Sequence, residues 1–93
     1  MFVGLMRLSL RIPGSGSLKE RRQVVASIKG RLRSRFNVSV AQIDDSEHWN
    51  GAKLGMALVG DNRDYLNGQL ETILRFIEEN YPVEVCGLEK EII

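Results

Sequence analysis

Every second residue from Phe2 to Ile12 is apolar or glycine. Phe2, Gly4, Met6, Leu8, Leu10 and Ile12 share one parity, and Arg7, Ser9 and Arg11 share the other. A period of two with one apolar face is the pattern of a strand half-buried in a sheet. Pro13-Gly14-Ser15-Gly16 ends it. Beyond that break Leu18, Val25, Ile28, Leu32 and Phe36 fall on one face of a helix, at roughly 100° per residue. Ser17-Leu18-Lys19-Glu20 has the order of a capping box, in which the serine hydroxyl accepts from the Glu20 amide and the Glu20 carboxylate reaches back. Asn37, which tolerates the left-handed conformation, closes this helix after Phe36.

The two periods then repeat. Val38 to Ile43 is β-branched at Val38, Val40 and Ile43 and reads as a second strand. A polar loop, 44–50, leads to Gly51–Val59, where Ala52, Leu54, Met56 and Leu58 alternate as a third strand; the pair forms an antiparallel hairpin. Gly60-Asp61-Asn62 supplies an N-cap oxygen. A second helix follows, with Leu66, Leu70, Ile73, Leu74, Ile77 and Tyr81 on its apolar stripe and Asp64, Glu71, Glu78 and Glu79 off it. Pro82 stops the helix, and Val83–Ile92 is a fourth strand interrupted by Gly87. The order β-α-β-β-α-β places two helices on one face of a four-stranded antiparallel sheet, the ferredoxin-like α+β sandwich. Right-handed crossovers make the strand order 4-1-3-2. Without long linkers or repeats, residues 1–93 are expected to form a single domain.

Composition excludes several classes. The chain has 93 residues, 43% of them apolar, too many for a disordered chain. No apolar run approaches the roughly 20 residues of a membrane helix, and the charged, alternating start is unlike a secretory signal. One cysteine, Cys86, and one histidine, His48, supply neither an internal disulfide nor a zinc site; no metal and no cofactor are expected. The net charge of +1 conceals a division: residues 1–40 hold nine Lys/Arg and one acid, residues 41–93 four Lys/Arg and eleven acids. Such asymmetry places a basic and an acidic surface on one small body.

Several of these segments together resemble a known family. Ile12-Pro13-Gly14, Ser17-Leu18-Lys19-Glu20-Arg21-Arg22, Arg31-Leu32-Arg33 and Phe36-Asn37-Val38-Ser39-Val40-Ala41, continued by Trp49, Ala52, Leu54-Gly55 and the last strand, resemble the YlxP-like family of short bacterial proteins, a domain of unknown function. Arg21 stands where a lysine is usual in that family and Gln42 where a glutamate is. The resemblance implies a ferredoxin-like fold in the bacterial cytoplasm. Its genes commonly neighbour translation-initiation and ribosome-maturation genes, which implies work on RNA or the ribosome. It implies no catalytic residues.

The first helix carries the main functional lead. Arg22, Lys29 and Arg33 form a row along one flank of its apolar stripe, with Lys19 nearby, and Arg31 and Arg35 lie along the other. A row of cations can follow the phosphates of a polyanion. Ser27, Gly30 and Ser34 on the outermost arc leave room for close approach. Arg7 and Arg11 extend the positive charge to the other sheet face. That face lacks the aromatic residues on which a sheet of this type stacks bases, because Val3, Leu5, Arg7, Lys53, Gly55, Ala57 and Val59 occupy its central strands. Instead Val3, Leu5, Ile43, Ala57 and Val59, extended by Val83 and Val85, form an apolar patch suited to a homodimer paired sheet face to sheet face.

Three functions follow in order of preference. The first is a non-enzymatic RNA- or ribosome-associated protein that uses the basic helix. The second is a dimeric protein–protein module with no nucleic-acid role. The third is an enzyme that binds a small phosphate-bearing substrate at the 13–19 loop, where a helix N-terminus lies beside Lys19, Arg21 and Arg22; that loop lacks nucleotide P-loop spacing. Asp44, Asp45, Glu47 and His48 read as turn formers rather than cation ligands, Trp49 as a clamp holding the loop, and Cys86 as a buried, inert thiol.

Overall fold

The computed structural model describes residues 1–14, 16–44 and 50–93. Six elements follow in the expected order: β1 (Phe2–Arg11), α1 (Leu18–Arg35), β2 (Ser39–Asp44), β3 (Gly51–Gly60), α2 (Arg63–Asn80) and β4 (Glu84–Ile92). The strands make one antiparallel sheet ordered β2-β3-β1-β4. This is the 4-1-3-2 order read from the opposite edge, and the architecture is a ferredoxin-like α+β sandwich.

Parity decides which side chains face the helices. Met6 pairs with Met56, Leu8 with Leu54 and Leu10 with Ala52, and paired residues point to the same side of a sheet. These rows meet Val25, Ile28 and Leu32 of α1 and Leu66, Leu70, Ile73 and Ile77 of α2 in one buried cluster. α1 lies over β2, and α2 contacts β1, β3 and β4. Residues of the other parity on β1 and β3 face away from both helices.

Helix ends differ in two respects from expectation. Asn37 does not take the left-handed conformation, since no residue other than Gly14 has a positive φ among the described residues. Phe36 leaves the helix in extended conformation instead, and its amide still donates to the Leu32 carbonyl at 2.9 Å. The last turn is satisfied without a left-handed cap, and the chain runs directly toward β2. At the other end Ser17 Oγ accepts from the Glu20 amide at 3.1 Å, while the Glu20 carboxylate accepts from the Gly16 amide, one residue earlier than in the capping box. Asn62 caps α2 through its side-chain oxygen, 2.9 Å from the Tyr65 amide.

β4 corrects two expectations. Its register with β1 shifts between Ser9 and Leu10, so that Ser9 pairs with Gly87 but Leu10 with Val85. One residue, Cys86, is left over as a bulge, which reverses facing direction along the strand. Val85, paired with the buried Leu10, therefore turns toward the helices, and both Val83 and Val85 pack against the core rather than joining the open face. The bulge also exposes Cys86, contrary to a buried thiol; its Sγ donates to the Ser9 carbonyl at 3.3 Å.

Candidate functional site

α1 is an 18-residue helix with seven cations and one acid, Glu20. Only Val25, Ile28 and Leu32 are buried, so the apolar stripe is narrow and the cations occupy both of its flanks. Glu20 is committed to the cap. Among the described residues, Lys19, Lys29, Arg31, Arg33 and Arg35 have no carboxylate partner.

The two flanks have different surroundings. On the β2 side Arg33 donates to the Val40 carbonyl at 2.7 Å, which ties the end of α1 to the neighbouring strand. Arg22 and Arg21 lie beside Gln42, Gly51 and Ala52 near the start of α1, and Arg21 donates to the Asn50 side-chain oxygen at 3.4 Å. Lys19 is exposed and Lys29 half-buried. On the α2 side Arg31 and Arg35 bracket one ring: their guanidinium carbons stand 5.0 and 4.9 Å from the centroid of Phe76. Phe76 in turn meets Phe36 edge to face at 6.1 Å. Arg31 also lies 5.4 Å from the Tyr81 centroid and donates to its hydroxyl at 3.3 Å, while Ser27 Oγ and Tyr81 Oη are 2.8 Å apart.

The seam between the helices is thus held by cations on aromatic faces, each such contact contributing about 0.5–1 kcal/mol at an exposed site. Ion pairs play no part in it among the described residues. Sequence reasoning placed Arg31 and Arg35 on the correct flank but missed Phe76, which lies off the apolar stripe of α2; an aromatic residue beside that stripe was the available signal. Ser27, expected on the outermost arc, turns to Tyr81. Gly30 and Ser34 are exposed as expected.

The open sheet face carries Val3, Leu5, Ile43, Ala57 and Val59. Val3, Leu5 and Ala57 are half-buried, and Ile43 and Val59 are 50% and 55% exposed. A second bulge, between Gln42 and Asp44 in the β2–β3 pairing, lets Ile43 fold over Gly55, where a Cβ would stand 2.8 Å from its Cγ2. The small residues Ser39, Ala41, Gly55 and Ala57, walled by Leu5 and Ile43, form a trough of about 250 Å³. Ile93, 58% exposed and bonded backbone to backbone with Val3, continues this face and was missed by sequence reasoning. Arg7 does not add free positive charge here: its guanidinium is 3.5 Å from the Glu89 carboxylate, and Arg11 pairs in register with Glu84.

Two other candidates are weakened or undetermined. In the 13–19 loop the Gly16 amide is taken by the chain's own Glu20, in keeping with a carboxylate that reaches back to the helix start, which leaves fewer amides for an anion. Asp45, Glu47, His48 and Trp49 lie outside the described residues, as do Ser15 and the side chain of Asp44. Among the described residues no group of three or more His, Cys, Asp or Glu is placed to hold a metal, and no helix is long and apolar enough to cross a membrane.

The model of a family described as "Protein of unknown function (DUF503)" matches residues 3–90. The chain belongs to this family. A DUF503-type relative, the "Uncharacterized protein YlxP" of Bacillus subtilis (strain 168), is 32% identical over 82 residues, spanning 88% of this chain and 89% of its own. The "De novo designed protein Foldit4" aligns over 100% of this chain and 97% of its own with a TM-score of 0.53 at 15% identity, a likeness of fold alone. DUF503 membership brings no activity with it, so a reading of function rests on the surfaces just described.

Proposed function

We propose that the chain is a non-enzymatic RNA- or ribosome-associated protein that holds phosphates along α1. One observation carries this reading: seven cations on an 18-residue helix whose only acid is consumed by its own cap. Ordinary protein surfaces intersperse both signs, and α2 does so, with Arg63 and Arg75 among its four acids. A one-signed helix attracts a polyanion by releasing the counterions of its phosphates, which makes binding fall steeply with salt. The structure also indicates which cations to vary. Arg33 bonds Val40, and Arg31 and Arg35 sit on Phe76, so their loss disturbs packing. Lys19 and Lys29 make no such contacts. Lys19→Glu with Lys29→Glu is expected to weaken binding to ribosomal RNA roughly tenfold or more at low salt with the fold intact. Unchanged affinity, or affinity insensitive to salt, would remove the proposal.

A second reading has its own observation, the open sheet face. Isolated exposed valines need no explanation, but Val3, Leu5, Ile43, Ala57 and Val59 line a single face together with Ile93. The charged residues around them are of both signs, Arg7, Arg11 and Lys53 on β1 and β3 and Glu84, Glu89 and Glu91 on β4, with Asp44 of β2 in register with Lys53. A second copy laid face to face brings these opposite charges together around an apolar centre. A second copy of this chain therefore fits the face better than a polyanion does. Four strands of this length cover about 600 Å² per copy from strand spacing and rise, somewhat below the usual 800 Å², so the expected dimer is a weak one. Sedimentation at about 100 μM should give the mass of two chains, and Leu5→Glu should restore the mass of one. A single-chain mass for the unaltered protein at that concentration rules the dimer out.

A further inference from the structure

A cleft of about 210 Å³ opens where the C-terminal end of α1 meets the start of α2. Arg35 and Asn37 stand on one side and Tyr65 and Gln69 on the other, with Leu58 and Val59 of β3 also lining it. Tyr65 is 63% exposed although it belongs to the first turn of a helix whose next residue, Leu66, is in the core. Among the described residues its ring meets no other aromatic ring and no guanidinium, in contrast to Phe2, Phe36, Phe76 and Tyr81. Nor do the Tyr65 hydroxyl, the Asn37 amide and the Gln69 amide make hydrogen bonds among the described residues.

This combination has a particular chemistry. An exposed aromatic face stacks on the flat face of any base. Two side-chain amides, each offering donors and an acceptor, match the edge of an unpaired base. Arg35 adds a cation at the mouth, contiguous with the other cations of α1. We propose that this cleft receives an unpaired nucleobase, stacked on Tyr65, from a single strand of RNA whose phosphates follow α1. The assignment rests on the α1 reading above and extends it from phosphate attraction to base contact. It also supplies an aromatic platform that the open face of the sheet lacks, at the margin of the helix layer instead.

The test separates base from phosphate. Fluorescence anisotropy is measured with the full chain, a labelled mixed-sequence single-stranded RNA of about a dozen nucleotides, and inorganic polyphosphate of similar charge as competitor. Tyr65→Ala should weaken RNA binding roughly 5- to 150-fold, the range for one lost stacking partner. Its competition by polyphosphate in a Lys19- and Lys29-dependent manner should persist, and Tyr65→Phe should bind RNA as the unaltered chain does. If Tyr65→Ala binds RNA normally, the cleft proposal falls and phosphate binding by α1 stands. If Tyr65→Ala loses RNA and polyphosphate alike, or Tyr65→Phe fails as Tyr65→Ala does, stacking is overturned as well. If the unaltered chain binds neither probe, both readings fall.

Discussion

α1 and α2 are both 18 residues long, lie in one layer on the same sheet and each begin on a capping side chain, yet they are built for different surroundings. α2 buries Leu66, Leu70, Ile73 and Ile77 over three strands and carries mixed charge outside. α1 buries three residues, Val25, Ile28 and Leu32, and gives both flanks to cations. Acids of α2 act locally, as where the Glu71 carboxylate lies 3.6 Å from the Lys90 ammonium in an ion pair. They do not neutralise α1 among the described residues. The contrast shows that equal length and a place in the same layer leave a helix free to specialise, provided a few fully buried residues anchor it.

The strongest way to break this comparison is to ask whether the narrow stripe anchors α1 as firmly as the wider one anchors α2. Leu32 and Leu70 are both 0% exposed. Leu32→Ala and Leu70→Ala should each cost about 2–5 kcal/mol in urea unfolding, the usual range for a cavity at such a site. A much smaller loss for Leu32→Ala would mean that α1 is only loosely anchored. Next comes charge. Neutralising Lys19 and Lys29 to Gln should lower the salt slope of RNA binding by roughly two and the affinity with it, while neutralising Glu78 and Glu79 should lower neither. Equal losses from both pairs would erase the functional difference between the helices.

Smaller effects probe the seam. Phe76→Leu keeps bulk but removes the ring beneath Arg31 and Arg35, and should cost about 1–2 kcal/mol, since each cation contact contributes about 0.5–1. Phe76→Leu as stable as the unaltered chain would show that the guanidinium contacts add nothing. The smallest effect is conformational. Gly30 in α1 and Gly68 in α2 have nothing within 4 Å of an added Cβ. Gly30→Ala and Gly68→Ala should therefore each stabilise by about 0.5–1 kcal/mol in thermal unfolding. A destabilising Gly30→Ala alone would mark a crowded α1 surface.

Much of the fold was legible because it depends on local periods. Phe2–Ile12 alternates and Leu18–Phe36 does not, and those periods come from the geometry of one strand and one helix. The hairpin and strand order then follow from short connections and crossover handedness. Legibility stopped where a bulge intervened. Cys86 inserts one residue into β4, and every inference from parity beyond it, including the facing of Val83 and Val85, changed sign. The cations of α1 and their division between two flanks were legible, but what each flank touches was not. Nothing near Arg31 or Arg35 in sequence announces Phe76, and Tyr65 drew no notice because it is not on the apolar stripe.

The amino-acid sequence by itself determined which segments are strands and helices, which residues form the core, and that positive charge gathers on α1 and negative charge after residue 40. Those properties are set by spacing along the chain and by side-chain chemistry. Only the tertiary structure decided that Arg31 and Arg35 flank Phe76 and that Arg7 meets Glu89. It also decided that Ile43 covers Gly55 and that Tyr65 shares a cleft with Arg35. Each of these pairs is far apart in sequence or reoriented by a bulge, and contacts of that kind exist only once long-range strand register and helix docking bring the partners together.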